Sequence, residues 1–388
     1  MEFWTHYINQ VKQDDLYRSP VCYQPLDAVH VEAEGQKYLL LATNNYLGLT
    51  HCPAVQQGAM AAIKQYGTGS GGARLTTGSH PLYEKLERQL ALFKGTEAAL
   101  VFNTGYMANV GVMSAVVTQG DVIFSDALNH ASIIDGCRLA KGKTVVYGHA
   151  DMAHLAQVLE KTPCQGQRFI VTDGVFSMDG DIAPLDKIVE LAEQYQAVVM
   201  VDDAHAVGVI GKDGRGTVDY FGLTDRVQIQ VGTLSKSLAA EGGYVAGSQA
   251  LINYLVNKAR SFIFSTALSP GTVAAGYVAL QELQARPELV DTLRHNGDYV
   301  RTALVAAGLQ IDGGGTPIIP ILVGEAAIAI KMAQQLKEQG LIVSAIRPPT
   351  VQPGASRLRL TVSAAHEKAD LVRAVEIIIA VSKGLHLI

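Results

Sequence analysis

The chain has 388 residues, 48% of them hydrophobic and 17% charged, with a formal net charge of −5. That length suits a large core plus a second, smaller unit, and the absence of any basic run excludes a nucleic-acid or membrane-surface binder. No stretch of about 18 apolar residues is present to cross a membrane, so the apolar excess points to a deeply buried sheet with further surface covered by a partner subunit. Cys22, Cys52, Cys137 and Cys164 show no C-x-x-C spacing. That argues against a zinc site or disulfide framework and for reduced thiols in a cytoplasmic chain. The opening residues lack the basic and then apolar pattern of a signal peptide.

In chain order, residues 2 to about 15 predict a short amphipathic helix, with Phe3, Trp4, Tyr7, Ile8 and Val11 near one face. Having no core of its own, it is expected to pack on a neighbour. Arg18 follows, just before Ser19-Pro20. A strand from about Lys37 ends in Asn44, Asn45 and Gly48, residues suited either to turn formation or to amide contacts with a substrate. A helix over 53–66 runs into Gly67–Arg74, whose small residues do not have the G-x-x-x-x-G-K-[ST] spacing of a nucleotide loop, so an ATPase is discounted. The helix over 81–94 places Leu82, Leu86, Leu90 and Phe93 in the core.

Residues 98–109 read as strand, glycine turn and helix start. Gly105 and Tyr106 are the candidates for a phosphate anchor, because free N–H groups and the helix dipole meet there. The next strand delivers His130 at its carboxyl end, where it can lie on the face of a flat ring or serve structure alone. Strands near 144–147, 168–172 and 198–201, interleaved with helices, continue the βαβ rhythm of a parallel sheet. The third of these carries Asp202, Asp203 and His205 at the end where open α/β sheets bind ligands. Ser177 lies in the turn after the second, as a site residue or simply a turn residue. Gly211–Gly216 reads as a solvated turn.

The stretch 231–244 centres on Lys236, which follows an apolar strand and is flanked by Thr233, Ser235 and Ser237. Burial disfavours an ammonium, so such a lysine can lose its proton near neutral pH and condense with an aldehyde. Thr233 can offer a hydroxyl to a phosphate, and an aspartate such as Asp202 can keep a pyridinium nitrogen protonated. Lysine, aspartate and histidine together point to pyridoxal phosphate. Residues 259–268, apolar with the hydroxyls of Ser265 and Thr266 near the end, suit donation across a subunit boundary. Beyond about 283 a long helix leads into a smaller unit, with strands near 318–323, 341–344 and 357–362. In the last, Arg357 and Arg359 share a face, where a guanidinium can clamp a carboxylate.

Assembled, the runs Thr43-Asn-Asn-Tyr-Leu-Gly, Asn103-Thr-Gly-Tyr, Asn129-His-Ala-Ser, Val201-Asp-Asp-Ala-His, Gly232-Thr-Leu-Ser-Lys, Phe264-Ser-Thr and Arg357-Leu-Arg-Leu-Thr resemble the α-oxoamine synthases. These are a branch of the fold-type I, aspartate-aminotransferase-like pyridoxal phosphate enzymes. The resemblance implies an α/β fold with an N-terminal helical segment (1–36), a large cofactor domain with a mainly parallel sheet (37–282) and a smaller α+β C-terminal domain (283–388). It also implies a homodimer with shared active sites. By the same resemblance Lys236 would carry the cofactor and move the substrate α-proton, and Asp202 would pair with the ring nitrogen. His205 would pair with the phenolic oxygen, and His130 would stack on the ring and face the substrate. Gly105, Tyr106, Thr233 and, from the other subunit, Thr266 would hold the phosphate, with Ser177 near the ring. Arg359 with Asn44 would bind the amino acid carboxylate, and Arg18 and Thr350 the acyl substrate.

Arg347-Pro-Pro-Thr-Val and the run 259–270 most resemble the members that condense L-alanine with a pimeloyl thioester, on coenzyme A or acyl carrier protein, in biotin biosynthesis. Sister activities join glycine to an acetyl thioester or an amino acid to a long acyl chain. A catalytically silent relative would lack Lys236 or Asp202.

Overall fold

Strands covered on both faces by helices must be apolar along their whole length, and Arg168–Asp173 and Ala197–Asp202 are buried almost throughout. They lie in the middle of a seven-stranded sheet in the computed structural model, which describes residues 2–13 and 17–388. The strand order is Ala98–Phe102, Gly243–Gly247, Ile229–Thr233, Ala197–Asp202, Arg168–Asp173, Val122–Asp126, Lys143–Tyr147. The last five pair in parallel, whereas Gly243–Gly247 is antiparallel to both of its neighbours. The mainly parallel sheet agrees with expectation, but the returning strand 243–247 was not anticipated. Its composition, Gly-Tyr-Val-Ala-Gly, reads as a turn because small residues dominate. Those small residues permit close packing: a Cβ on Gly243 would lie 2.5 Å from the Gly105 backbone, and one on Gly232 would strike the Tyr244 ring.

Helices Pro53–Tyr66 and Pro81–Lys94 match the predicted bounds. Each begins with proline, whose missing N–H costs nothing in a first turn, and each is followed by a glycine at positive φ. The polypeptide after Lys236 is more helical than read from the sequence, with Gln249–Lys258 and Pro270–Ala285 preceding Glu288–Ala306. The smaller sheet, Ile318–Gly324, Ser356–Thr361 and Ser344–Ile346, is antiparallel with Ser356–Thr361 at its centre. A third sheet joins the two ends of the chain, since Leu39 and Leu40 pair with Leu341 and Ile342.

The N-terminal helix spans Glu2–Gln13, and residues 14 and 15, also expected to be helical, lie outside the described residues. Its Phe3, Trp4 and Tyr7 are 71, 71 and 60% exposed in the single chain. No helix among the described residues is long and apolar enough to cross a membrane. In the turn 211–216, Lys212 and Asp213 are solvated as predicted, whereas Gly214 and Gly216 are buried.

Candidate active site

Four parallel strands end at one edge of the large sheet in Asp126, Asp173, Asp202 and Thr233, which brings polar side chains to the tips of apolar runs. Asp202 is buried. Its Oδ1 accepts from the Ala204 N–H at 2.9 Å and its Oδ2 from Asn109 Nδ2 at 2.6 Å. Asp173 lies beside it in register, also buried, and accepts from the His130 N–H at 2.7 Å. Burial and then the neighbouring Asp202 raise the Asp173 carboxyl well above the usual carboxylate range.

Lys236 is half-buried in the loop after Thr233. Burial holds its amine below the ordinary lysine range; Asp202 and Asp173 pull the other way, and Arg359 adds to the depression. His205 is buried, with Nδ1 at 2.7 Å from Tyr46 Oη. Burial, then Lys236 and Arg359, push it well below the usual histidine range, so its ring is neutral. His130 caps helix Ala131–Leu139 and faces the cleft with its edge exposed. Its surroundings still disfavour charge on the ring, with Asp202 opposing and Lys236 reinforcing that shift.

Two further groups complete the cleft. Helix Gly105–Val116 starts beside Thr233: a Cβ on Gly105 would lie 3.4 Å from Thr233 Cβ. The helix cap Thr104 accepts from the Met107 N–H, leaving the N–H groups of Gly105 and Tyr106 in the first turn for an anion. The Tyr106 hydroxyl donates to Asp135, so only its main chain is offered there. Thr233 Oγ1 contacts Ser235 Oγ at 2.7 Å and donates to the Gly242 carbonyl at 2.9 Å. Thr266 is exposed, and its carbonyl accepts from Asn103 Nδ2 at 2.6 Å.

On the other side, the central strand of the smaller sheet delivers Arg359, 5% exposed. Its Nε donates to the Ser177 carbonyl, and its Nη2 to Asn44 Oδ1 at 3.2 Å and Tyr46 Oη at 3.4 Å. Ser177 thus contributes its main chain here. Arg357, on the same strand face, is buried and ion-paired with Asp179, and Asp203 is buried against Lys94 at 2.7 Å. Neither Arg357 nor Asp203 is available as a free charge in the cleft. Beside Ser177 a cavity of about 230 Å³ is lined by Leu128, Phe176, Met178, Thr350 and Val351. Arg18 Nη2 stands 3.5 Å from Thr350 Oγ1, both exposed at the rim.

A flat, phosphorylated aldehyde of the pyridoxal type fits this donor set. There is an amine whose charged form burial disfavours, a buried carboxylate, a helix start for a phosphate and a buried guanidinium for a carboxylate. The sequence reading missed Tyr46, Asn109, Ser132 and Asp173. A signal existed for two of them: Asn109 is the only amide in an otherwise apolar helix, and Asp173 ends its strand as Asp202 does.

The chain belongs to the aminotransferase class I and II family, whose model matches residues 36–378. Within that class its similarity is to α-oxoamine synthases. An 8-amino-7-oxononanoate synthase from Lysinibacillus sphaericus is 51% identical over 364 residues, covering 93% of this chain and 94% of that protein. A serine palmitoyltransferase solved with a PLP internal aldimine superposes with a TM-score of 0.94 at 30% identity, covering 99% of this chain and 98% of that one. An 8-amino-7-oxononanoate synthase structure from Francisella tularensis gives 0.77 at 29%, covering 90% and 99%.

Proposed function

We propose that the protein uses pyridoxal 5'-phosphate to condense L-alanine with a pimeloyl thioester, on coenzyme A or acyl carrier protein, giving 8-amino-7-oxononanoate, carbon dioxide and free thiol. The observation that carries this reading is Lys236, held below its ordinary protonation range between Asp202, Asp173 and Arg359, in a chain half identical to a protein named for that product. The enzyme acts as a cytoplasmic homodimer, its exposed apolar residues Phe264 and Leu75 covered by the second subunit.

When bound, the cofactor supplies an electron sink for the carbanion at the amino acid α-carbon. Lys236 would anchor it and, once released by the amino acid, would take the α-proton on Nζ, whose charged form burial disfavours. Asp202 would keep a proton on the ring nitrogen by opposing charge, and neutral His205, its other nitrogen tied to Tyr46, would pair with the phenolic oxygen. The N–H groups of Gly105 and Tyr106, with Thr233 and the partner subunit's Thr266, would hold the phosphate. His130 would cover the ring face, with Ser177 beside it. Arg359, aligned by Asn44, clamps the alanine carboxylate. Arg18 and Thr350 would receive the acyl substrate at the rim of the cavity, where Leu128, Phe176, Met178 and Val351 offer apolar surface beside the Arg357–Asp179 pair.

Mass spectrometry of reactions containing the pure protein tests the assignment. L-Alanine with pimeloyl-CoA, or with pimeloyl-acyl carrier protein, should yield the amino ketone. Turnover of glycine with acetyl-CoA and none with either alanine mixture would overturn it.

A further inference from the structure

Asn109 and Ser132, both buried, connect Asp202 to His130 in an unbroken hydrogen-bond chain. Asn109 Nδ2 lies 2.6 Å from Asp202 Oδ2 and 2.9 Å from Ser132 Oγ, and Ser132 Oγ lies 2.7 Å from His130 Nδ1. The Ser132 main-chain N–H also points at that nitrogen, at 3.3 Å. The proton count of this chain has one solution. A carboxylate only accepts, so Asn109 must present its amide nitrogen to Asp202. The second hydrogen of that nitrogen then goes to Ser132 Oγ, which has its own hydrogen left for His130 Nδ1. A main-chain N–H can only donate, so Nδ1 accepts twice and carries no proton.

The opposite orientation of Asn109 would put its carbonyl 2.6 Å from the carboxylate. As placed, Asn109 Oδ1 is buried without a hydrogen-bond partner. Leaving a buried carbonyl unpaired costs about 1–3 kcal/mol, a cost the fold accepts to keep the amide nitrogen toward Asp202.

We propose that Asn109 and Ser132 are positioning residues that lock His130 in its Nε2–H tautomer, so that the ring offers a hydrogen-bond donor to a substrate oxygen in the cleft. The lock depends on Asp202 remaining a carboxylate, because only then is Asn109 fixed; the carboxylate that serves the ring nitrogen also sets the state of the histidine. The charged groups facing His130 are Asp202 and Lys236, with Asp173 beneath its main-chain N–H. The disfavoured charge on its ring agrees with a doubly accepting Nδ1.

The role assigned to His130 toward substrate rests on the condensation proposed above, but the tautomer does not. Long-range ¹H–¹⁵N correlation spectra of the full-length protein, with imidazole nitrogens labelled and His130 assigned by its loss in His130→Gln, read the tautomer with and without pyridoxal phosphate. The expected result is a protonated Nε2 and a bare Nδ1 in both states; a protonated Nδ1 would overturn the proposal. In Ser132→Ala the 3.3 Å main-chain contact alone should leave Nδ1–H measurably populated. There kcat should fall by about tenfold or more with KM for alanine within about twofold, and Ser132→Thr should restore both readouts. Asn109→Leu should release the tautomer in the same way. An unchanged tautomer in both Ser132→Ala and Asn109→Leu would reduce these residues to ordinary core polar groups and end the proposal. The locked tautomer in a protein that does not make the amino ketone would leave the relay standing and remove the assigned reaction. A protonated Nδ1 in an active enzyme would do the reverse.

Discussion

Arg359 and Arg357 sit two residues apart on one strand, and replacing each by lysine should separate a substrate clamp from a structural pair. Arg359 has Nε fixed by the Ser177 carbonyl and Nη2 by Asn44 and Tyr46, so the plane of its guanidinium is set before any ligand arrives. An ammonium keeps the charge but cannot make the two parallel bonds of a fork. A hydrogen bond to a charged group contributes about 1.5–3 kcal/mol, and about 1.4 kcal/mol is tenfold in affinity. Losing one such bond predicts that Arg359→Lys raises KM for L-alanine roughly ten- to hundredfold, with kcat reduced by less than about fivefold. Arg357 instead meets Asp179, and Arg357→Lys should cost stability while leaving KM for alanine within about twofold. Steady-state kinetics with alanine varied at saturating thioester, alongside urea denaturation, reads both effects. If Arg357→Lys raises KM as much as Arg359→Lys does, or if Arg359→Lys leaves it unchanged, the assignment of the clamp is wrong.

Lys236→Ala should abolish turnover while the circular dichroism spectrum and melting profile of the apoprotein stay close to wild type; retained turnover would remove Lys236 from its role. Lys94→Met leaves Asp203 buried with one cation fewer, and should lower stability by about 3–5 kcal/mol in urea denaturation at fixed protein concentration. A loss below about 1 kcal/mol would show that water reaches the pair. His149 lies between Asp126 at 2.9 Å and Asp181 at 2.8 Å. Burial, the largest influence, opposes its charge, yet the two carboxylates together push it from 6.5 up to about 10. Its contribution to stability should therefore be full below pH 6.5 and disappear as pH climbs through about 10. His149→Gln should flatten that part of the pH dependence of the urea midpoint, and an unaltered profile would place the dependence elsewhere.

Lys236, Asp202 and His205 were legible because polar residues at the carboxyl ends of apolar strands have few structural uses. The helices over 53–66 and 81–94 were legible because proline and glycine mark their ends. What could not be read was which way neighbouring polar residues face. Asp202 and Asp203 are adjacent in the chain, and only the structure shows one at the cleft and the other sealed against Lys94. Arg357 and Arg359 share a face, yet Asp179, far away in sequence, takes the first and leaves the second without a carboxylate partner among the described residues. Tyr46 stayed hidden because a tyrosine beside a turn looks like core. Its hydroxyl, bridging His205 and Arg359, exists only once three distant segments meet.

The sheet edge poses an electrostatic problem whose solution explains the site. Asp126, Asp173 and Asp202 end neighbouring strands and Asp203 follows directly, so four carboxyl groups share this edge, two of which, Asp202 and Asp173, act on Lys236. Left ionised together, they would hold Lys236 firmly as an ammonium, since Asp202 and Asp173 both favour its charged form. The fold disposes of three in different ways. Asp126 is matched by His149 and Asp203 by Lys94, while burial and the neighbouring Asp202 disfavour the charged form of Asp173. Asp202 is left without a cationic side-chain partner, its carboxylate oriented by Asn109 and the Ala204 N–H. The weakened ammonium of Lys236 has its own origin in burial, which Arg359 reinforces, and it persists because the carboxylates that oppose it are so few.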